Sequence, residues 1–297
     1  MTWDRVERLL GSRNLELLAQ KRVGVVGLGS GGGFVALSLA MSGVGRFVLI
    51  DDDRFEAGNV VRHIADLRDV GRPKVEAVAD LIRQRNPDAE IAVREGRIEE
   101  HLDALDRLDL LVCGVDGENA KYVINQACLD RNLTAVYAGV YERGEGGDVV
   151  VIHPYDGPCY ACWAAELRDD LPQHGEVGEL DYGMIEPGGT LEAEPGLWLH
   201  VVRVASVQAD MALNQLLRAA EIYRSMPGNT VILANTALEI VAGEISPPYS
   251  AVWVTVERNP YCLVCGSPAL EEQQGGSLDD LARMTGIVLE EDEGQQS

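Results

Sequence analysis

A glycine-rich turn, GLGSGG at residues 27–32, constrains this chain more than any other feature. It matches G-x-G-x-x-G, with Gly27, Gly29 and Gly32 at the three glycine positions, and it stands between a short apolar segment and a segment of small residues. In such a strand–turn–helix context the backbone can approach phosphate closely, and the helix N-terminus offers free N–H groups. Asp51 ends the next apolar segment, where a carboxylate suits ribose hydroxyls. The pattern predicts an adenine-nucleotide site and leaves NAD and ATP both open.

Strand-like and helix-like segments alternate through the first 150 residues, which predicts a parallel sheet with helices on both faces. Two further apolar segments, 134–140 and 148–153, flank a glycine-containing turn and predict a pair of antiparallel strands. The expected fold is therefore α/β, a Rossmann-like mixed sheet that is parallel in its N-terminal half with antiparallel strands added. Amphipathic helices are expected over residues 4–20 and 197–219.

The domain organisation follows from a change in sequence character after the alternating region. We predict one domain at residues 1–270 and an acidic tail at 271–297. The nucleotide-binding half of the domain covers about residues 1–150, and its C-terminal half covers about 197–270. Residues 166–196 are polar, contain glycine and proline, and lack periodicity, which predicts a long crossover loop over the active face.

The charge of the chain limits the classes of partner that it can bind. Its formal net charge is −23 at pH 7, whereas nucleic acids and anionic membranes are bound through lysine and arginine. No apolar run approaches the roughly 20 residues that a membrane-spanning helix needs. The first residues are charged and lack the apolar core of a secretory signal. We therefore expect a cytoplasmic protein that binds neither nucleic acid nor a membrane.

Four of the six cysteines form two C-x-x-C pairs, Cys159 with Cys162 and Cys262 with Cys265. In a chain without a signal sequence this pattern favours zinc over disulfides. Each pair can place two thiolates around one tetrahedral Zn²⁺, and two separate redox pairs are the alternative. Four thiolates leave no open coordination position, so the predicted zinc site is structural.

The motifs after the second predicted strand resemble the ThiF/MoeB/HesA family, whose catalytic core is shared with ubiquitin-activating enzymes. The likeness covers nearly the whole chain, and it favours ATP over NAD as the nucleotide. The sequence also shows no acid/base pair for hydride transfer, which a NAD-dependent enzyme would need. The matching positions are a D-x-D strand end at Asp51 and Asp53, N-x-x-R at Asn59 and Arg62, P-K at Lys74, and a strand-end carboxylate at Asp116.

The resemblance implies an adenylyltransferase, in which a substrate carboxylate attacks the α-phosphate of ATP and pyrophosphate leaves. Catalysis then depends on positioning and on cations beside the phosphate oxygens. The resemblance implies that Arg62 binds the β- and γ-phosphates and that Lys74 lies at the α-phosphate. It gives Asn59 to phosphate or ribose and Asp116 to Mg²⁺. The expected ATP-binding residues are Gly27, Gly29, Gly32, Asp51, Asp53, Asn59, Arg62, Lys74 and Asp116.

Two further positions bear on the resemblance. Members of the family supply an arginine from the partner protomer's N-terminal segment to the γ-phosphate, which implies a homodimer. Arg8 matches this arginine best, with Arg5 and Arg13 as alternatives. His63 stands where the family usually has glutamine, and both side chains can donate one hydrogen bond. The expected catalytic residues are Arg62, Lys74, Asp116 and Arg8.

The cysteine positions also limit how far the reaction proceeds. The predicted crossover loop contains no cysteine to carry an acyl group as a thioester, and Cys113 and Cys128 lie in segments expected to be buried. We predict that the chemistry stops at the acyl-adenylate of a small ubiquitin-like protein with a C-terminal glycine. A sulfur donor or a conjugating enzyme would act next. The expected cofactors are ATP, Mg²⁺ and structural Zn²⁺. A peptide substrate and a non-catalytic subunit of a heterodimeric activating enzyme remain alternatives.

Overall fold

The computed structural model describes residues 2–168, 183–184, 192–193, 196–241 and 243–266. Its α-helices are α1 Asp4–Leu10, α2 Ser12–Gln20, α3 Ser30–Met41, α4 Lys74–Arg85, α5 Glu118–Arg131, α6 Tyr160–Arg168 and α7 Trp198–Leu216. Its strands are β1 Arg22–Val26, β2 Arg46–Asp51, β3 Glu90–Glu95, β4 Leu110–Cys113, β5 Ala135–Val140, β6 Gly146–Ile152, β7 Gly183–Met184, β8 Glu192–Ala193, β9 Thr230–Ala234, β10 Leu238–Val241, β11 Glu244–Ser246 and β12 Ala251–Val254. Short 3₁₀ helices lie at Ala57–Arg62, Leu67–Asp69, Ile98–Glu100, Leu102–Leu105 and Glu142–Gly144.

Eight of the strands form one mixed sheet in the order β12-β9-β6-β5-β4-β1-β2-β3. Strands β3, β2, β1, β4 and β5 are neighbours in that order and pair in parallel. Strands β6, β9 and β12 continue the sheet beyond β5 with antiparallel pairing. This confirms the predicted α/β fold with a parallel N-terminal half. The strand order reverses between β1 and β4, and ligands of open α/β sheets bind at such a reversal, beyond the carboxyl ends of the strands.

Successive side chains of a strand point to opposite faces of the sheet. Here both faces are apolar, and helices cover both. Val25 on β1 belongs to a buried core formed with α3, α4 and α7. Its neighbour Val26 belongs to the core on the opposite face, which includes α5 and α6. The central strands are therefore apolar on both faces. Their carboxyl ends, which leave the core, are the positions from which polar groups can reach a ligand.

The structure differs from the sequence prediction in several local features. The helix expected over residues 4–20 is divided into α1 and α2 at Gly11, whose φ of +83° is unfavourable for other residues. Helix α6 extends to Arg168, so the first residues of the predicted crossover loop are helical. Most of that loop, and the predicted acidic tail, lie outside the described residues.

None of the helices in the described ranges combines the length and the apolar character that crossing a bilayer requires.

Candidate active site and metal centre

The glycine turn lies where β1 and β4 end side by side. Gly27 has a φ of +83°, and a Cβ atom at this position would lie 2.6 Å from the carbonyl carbon of Gly114. A Cβ atom at Gly32 would collide with the carbonyl oxygen of Gly27. A Cβ atom at Gly29, by contrast, would meet nothing within 4 Å. Gly27 and Gly32 therefore allow backbone to pack against backbone, and Gly29 leaves open space in front of the turn.

Leu28, inside the turn, is held by two buried side chains. Its N–H donates to Oδ2 of Asp51 at 2.5 Å, and its carbonyl oxygen accepts from Nε2 of His63 at 2.8 Å. The other carboxylate oxygen of Asp51 accepts from the amide of Asp53 at 2.9 Å. Burial raises the pKa of Asp51, and the hydrogen bond from Leu28 opposes that shift. Both oxygens of Asp51 are thus used to shape the backbone.

His63 is fixed in one neutral tautomer by its neighbours. Nε2 must carry the hydrogen because it faces the carbonyl oxygen of Leu28, and Nδ1 accepts from the amide of Ala65 at 3.0 Å. The ring meets Phe55 edge-on, with centroids 5.0 Å apart. Burial lowers the pKa of His63, and the charge of Lys74 adds to this effect. One donor and one acceptor are what a glutamine amide also offers, which gives a physical reason for His63 at this position.

A cleft of about 620 Å³ opens in front of the glycine turn. Asp51, Gly27 and Arg8 do not line it, although the sequence analysis names them as site residues. The ATP-binding role of Asp51 and Gly27 stays a prediction. Both residues shape the backbone of the glycine turn, which lies beside the cleft. The sequence-predicted residues that line the cleft are Gly29, Gly32, Asp53, Asn59, Arg62, Lys74 and Asp116.

The charged groups of the cleft differ in how they are engaged. Lys74, at the start of α4, is only 9% exposed, and its Nζ lies 2.5 Å from Oδ2 of Asp53. Oδ1 of Asn59 accepts a hydrogen bond from the backbone amide of Glu56 at 2.9 Å, and Nδ2 of Asn59 has no hydrogen-bond partner among the described residues. Arg62 lines the cleft at the end of a 3₁₀ helix. The arrangement places two cations, one of them nearly buried, beside backbone amides that favour phosphate.

Arg8 lies on α1, away from the cleft of its own chain. Its guanidinium pairs with Asp4 at 3.0 Å across one helical turn, and the side chain is exposed. Exposure leaves it accessible to another molecule, so its predicted role in a partner's site stays a prediction.

Further residues without a sequence prediction also line the cleft, among them Gly114, Lys121 and Gln208. Lys121 is only 2% exposed, and its Nζ donates to Glu118 at 2.9 Å. Gln208 is also 2% exposed and extends from α7 to the end of β4 and the start of β5. A sequence signal exists for Lys121, because it lies three and seven residues before buried positions of α5 and so belongs to the inner face of that helix.

The four paired cysteines meet at one point, away from the cleft. Their sulfur atoms all lie within 4.8 Å of one another. Sγ of Cys159 lies 3.8 Å from Sγ of both Cys162 and Cys262, and Sγ of Cys162 lies 3.5 Å from Sγ of Cys265. A tetrahedron with Zn–S bonds of about 2.3 Å has sulfur atoms about 3.8 Å apart. The cluster therefore fits a zinc ion and would tie the start of α6 to the C-terminal segment.

Comparison with known proteins places this architecture in a family. The model of the ThiF family matches residues 4–264. The SAMP-activating enzyme E1 of Haloferax volcanii is 29% identical over 267 residues, which cover 89% of this chain and 85% of that protein. Ubiquitin-like modifier-activating enzyme 5 of Caenorhabditis briggsae is 32% identical over 163 residues, which cover 50% of this chain and 38% of that protein.

Solved structures share the fold at lower sequence identity. MccB of E. coli in its complex with ATP superposes with a TM-score of 0.65 at 20% identity, covering 89% of this chain and 75% of the MccB chain. MccB with N-formylated MccA gives the same TM-score and identity. At this identity the likeness is one of fold, whereas the family match spans most of the sequence. The chain belongs to the ThiF family of adenylyltransferases, the family and enzyme class that its sequence predicts.

Proposed function

We propose that this protein uses ATP and Mg²⁺ to convert the C-terminal carboxylate of a small ubiquitin-like protein into its acyl-adenylate. The observation that carries the proposal is the convergence of Asn59, Arg62, Lys74 and Asp116 on one cleft below the glycine turn. These residues come from three separate segments of the chain: the 3₁₀ helix Ala57–Arg62, the start of α4 and the loop after β4. Packing alone gives no reason for bringing so many charged and polar groups to one concave surface.

The proposed reaction is one displacement at phosphorus. A carboxylate oxygen of the substrate forms a bond to the α-phosphorus, the bond from that phosphorus to the bridging oxygen breaks, and pyrophosphate leaves. Lys74 stabilises charge at the α-phosphate, and Arg62 binds the β- and γ-phosphates with its planar guanidinium. Asp116 would hold Mg²⁺, which supplies further positive charge to the phosphate oxygens. Asp53 remains next to Lys74 and orients its ammonium group. A second role for Asp53 would be to accept a hydrogen bond from a ribose hydroxyl.

The other end of the cleft suits a small, flexible peptide terminus. Ala138, Gly139 and Val140 of β5 and Val201 and Val204 of α7 all line the cleft. These five residues are apolar and have short side chains, so a glycine terminus fits beside them better than a bulky side chain. The names of two relatives, SAMP-activating enzyme E1 and ubiquitin-like modifier-activating enzyme 5, favour a small modifier protein as the substrate.

We further propose that the enzyme has no thioester cysteine. Cys113 and Cys128 are 0% and 2% exposed, and burial raises the pKa of the Cys128 thiol. Neither thiol has the exposure that a nucleophile needs, and the pKa of Cys128 is raised rather than lowered. The other four cysteines form the metal cluster. The adenylate would therefore be passed to a nucleophile on another protein, a sulfur donor or a conjugating enzyme.

A second candidate substrate is a small peptide. MccB shares the fold and was solved with N-formylated MccA bound, which supports a peptide carboxylate as the alternative. A non-catalytic role as half of a heterodimer is disfavoured by the retained Arg62, Lys74 and Asp116. We propose a cytoplasmic homodimer of a single adenylation domain, in which Arg8 of each protomer completes its partner's site.

Exchange of labelled pyrophosphate into ATP tests the function. We expect exchange only when a protein ending in glycine is added, and at least a 100-fold loss in Lys74→Ala or Asp116→Ala, because about 2.7 kcal/mol or more of electrostatic stabilisation is removed. Arg83→Ala, an exposed residue of α4 that does not line the cleft, is the control that should retain exchange. Exchange with ATP alone, or retention of activity in both variants, would contradict the proposal.

A further inference from the structure

Gln208 is a buried amide in the cleft that the reaction described above does not use. It lies on α7 at the same helical face as Val201, Val204 and Ala205, and all four line the cleft. The side chain is only 2% exposed, whereas buried polar side chains are costly unless they are hydrogen-bonded. Both polar atoms of this amide, Nε2 and Oε1, therefore need hydrogen-bond partners.

The surrounding backbone determines the orientation of the amide. Nε2 lies 2.8 Å from the carbonyl oxygen of Cys113 and 3.0 Å from that of Val136. Both neighbours are acceptors, so the NH₂ group must face them and the assignment of nitrogen and oxygen is settled chemically. Two hydrogen bonds to adjacent strands hold the amide rigidly.

The acceptor end of this amide is the part left for a ligand. Oε1 accepts no hydrogen bond from any residue in the described part of the chain, and it is not among the buried atoms that lack a partner there. Since Gln208 lines the cleft, the cleft is the side from which Oε1 can be reached. The protein thus presents a fixed hydrogen-bond acceptor within a largely apolar wall.

The position of Oε1 limits which donor can use it. A Cβ atom at Gly31 would lie 3.7 Å from Val201 and 3.8 Å from Ala205, so the glycine turn contacts the same face of α7. Gln208 bonds to Cys113 at the end of β4, which leads to Asp116, and to Val136 of β5, which leads to Ala138. Phosphates and the substrate carboxylate are acceptors at neutral pH and cannot use Oε1. The donors that remain are the hydroxyl and amino groups of the nucleoside and the N–H of the last residue of an extended peptide terminus. Gln208 lies against β5, whose residues Ala138 and Gly139 line the cleft, and this favours the peptide N–H.

We infer that Gln208 recognises the peptide N–H of the residue that carries the reacting carboxylate, and so makes the enzyme specific for a terminal residue with a free amide hydrogen. The inference rests on the proposed function and adds a specificity determinant to it. A terminal proline or an N-methylated glycine would leave Oε1 without a donor. A site built to hydrogen-bond a substrate group rejects the analogue that lacks it, because the buried partner is left unpaired.

The test uses two stable analogues of the acyl-adenylate. Both are sulfamoyladenosines; one carries N-acetylglycine, and the other carries the ester in which oxygen replaces the N–H. Calorimetry should show that the wild-type protein binds the amide about tenfold more tightly than the ester. Gln208→Met should bind both analogues equally, and circular dichroism should show that the variant is folded. Gln215→Met, a buried glutamine of α7 that does not line the cleft, should keep the tenfold preference.

The outcomes separate this inference from the proposed function. Equal binding of amide and ester by the wild-type protein would overturn the inference and leave adenylation standing. A tenfold preference that survives in Gln208→Met would also overturn it. Binding of neither analogue would overturn the proposed function and this inference with it. If Gln208→Met does not fold, Gln208→Asn keeps the amide but withdraws it by one methylene, and should abolish the preference.

Discussion

His63 gives the sharpest prediction about how the glycine turn is held. Replacing it with alanine removes the donor to the carbonyl oxygen of Leu28 and the acceptor for the amide of Ala65. Each buried group left without a partner costs about 1–3 kcal/mol, so we expect His63→Ala to lose about 2–6 kcal/mol of unfolding free energy. Glutamine can supply both hydrogen bonds again. His63→Gln should lose only the edge contact with Phe55, about 0.5–1.5 kcal/mol.

The same variant makes a prediction about pH. Burial lowers the pKa of His63 below its ordinary value, so the unfolded chain binds its proton more readily than the folded protein does. The stabilising contribution of neutral His63 is therefore fully present above about pH 6.5 and is lost as the pH falls through the lowered folded pKa. The physical cause of the lowered pKa is the cost of burying a charged imidazolium, to which the charge of Lys74 adds.

Chemical denaturation between pH 7.5 and pH 5 measures both effects. The difference in unfolding free energy between His63→Gln and wild type should shift in favour of the variant as the pH falls. His101→Gln is the matched control, because His101 contacts only one carbonyl, at 3.2 Å, and is less buried. Parallel pH profiles for wild type and His63→Gln, or a His63→Ala variant as stable as His63→Gln, would refute the reasoning.

Three other predictions concern the turn, the metal and the thiols. Gly32→Ala should lose about 1–3 kcal/mol of stability and most ATP affinity, because its Cβ would collide with Gly27, whereas Gly29→Ala should keep wild-type stability in thermal melts. Equal melting temperatures for these two variants would contradict the packing argument. Elemental analysis should find one zinc per chain, and chelation or Cys262→Ser should remove it and lower the melting temperature; a metal-free protein of unchanged stability would contradict a structural zinc site. With ATP and the small protein, the wild-type enzyme should form no thiol-reversible conjugate, and a conjugate that is lost in a Cys113→Ala, Cys128→Ala double variant would indicate a catalytic thiol.

The fold and the metal cluster could be predicted because their signals are local. Alternating segments and a glycine turn of fixed spacing are enough to predict a parallel sheet with its ligand edge. Each C-x-x-C pair brings two sulfur atoms together by itself, so only the meeting of the two pairs depended on tertiary structure. That meeting is what the distances between Cys159, Cys262 and their neighbours show.

The roles within the site were harder to predict because they depend on where a strand ends. Asp51 and Asp53 are two residues apart, and the sequence favoured the first for the ribose. The carboxylate of Asp51 accepts hydrogen bonds from two backbone amides, and Asp53 lines the cleft, so the ribose role of Asp51 stays a prediction. The glycine motif has the same property: its spacing does not distinguish Gly29, which faces open space, from Gly32, which packs against backbone.

Long-range contributions to the site left still weaker signals. Gln208 lies on the last long helix, and only the pairing of β4 with β5 brings the carbonyl groups of Cys113 and Val136 within reach of its amide. A single glutamine on an amphipathic helix does not stand out in a sequence. The fold therefore supplies information about specificity that motifs near the nucleotide do not contain.

Intact-mass spectrometry of the reaction, in acid and without thiols, tests the central claim most directly. The protein is incubated with ATP, Mg²⁺, pyrophosphatase and a small ubiquitin-like protein ending in Gly-Gly. We predict that the small protein gains the mass of one AMP, that the enzyme gains none, and that Lys74→Ala abolishes the adduct. A covalent complex of enzyme and small protein that thiols reverse, or a small protein of unchanged mass, would contradict the account.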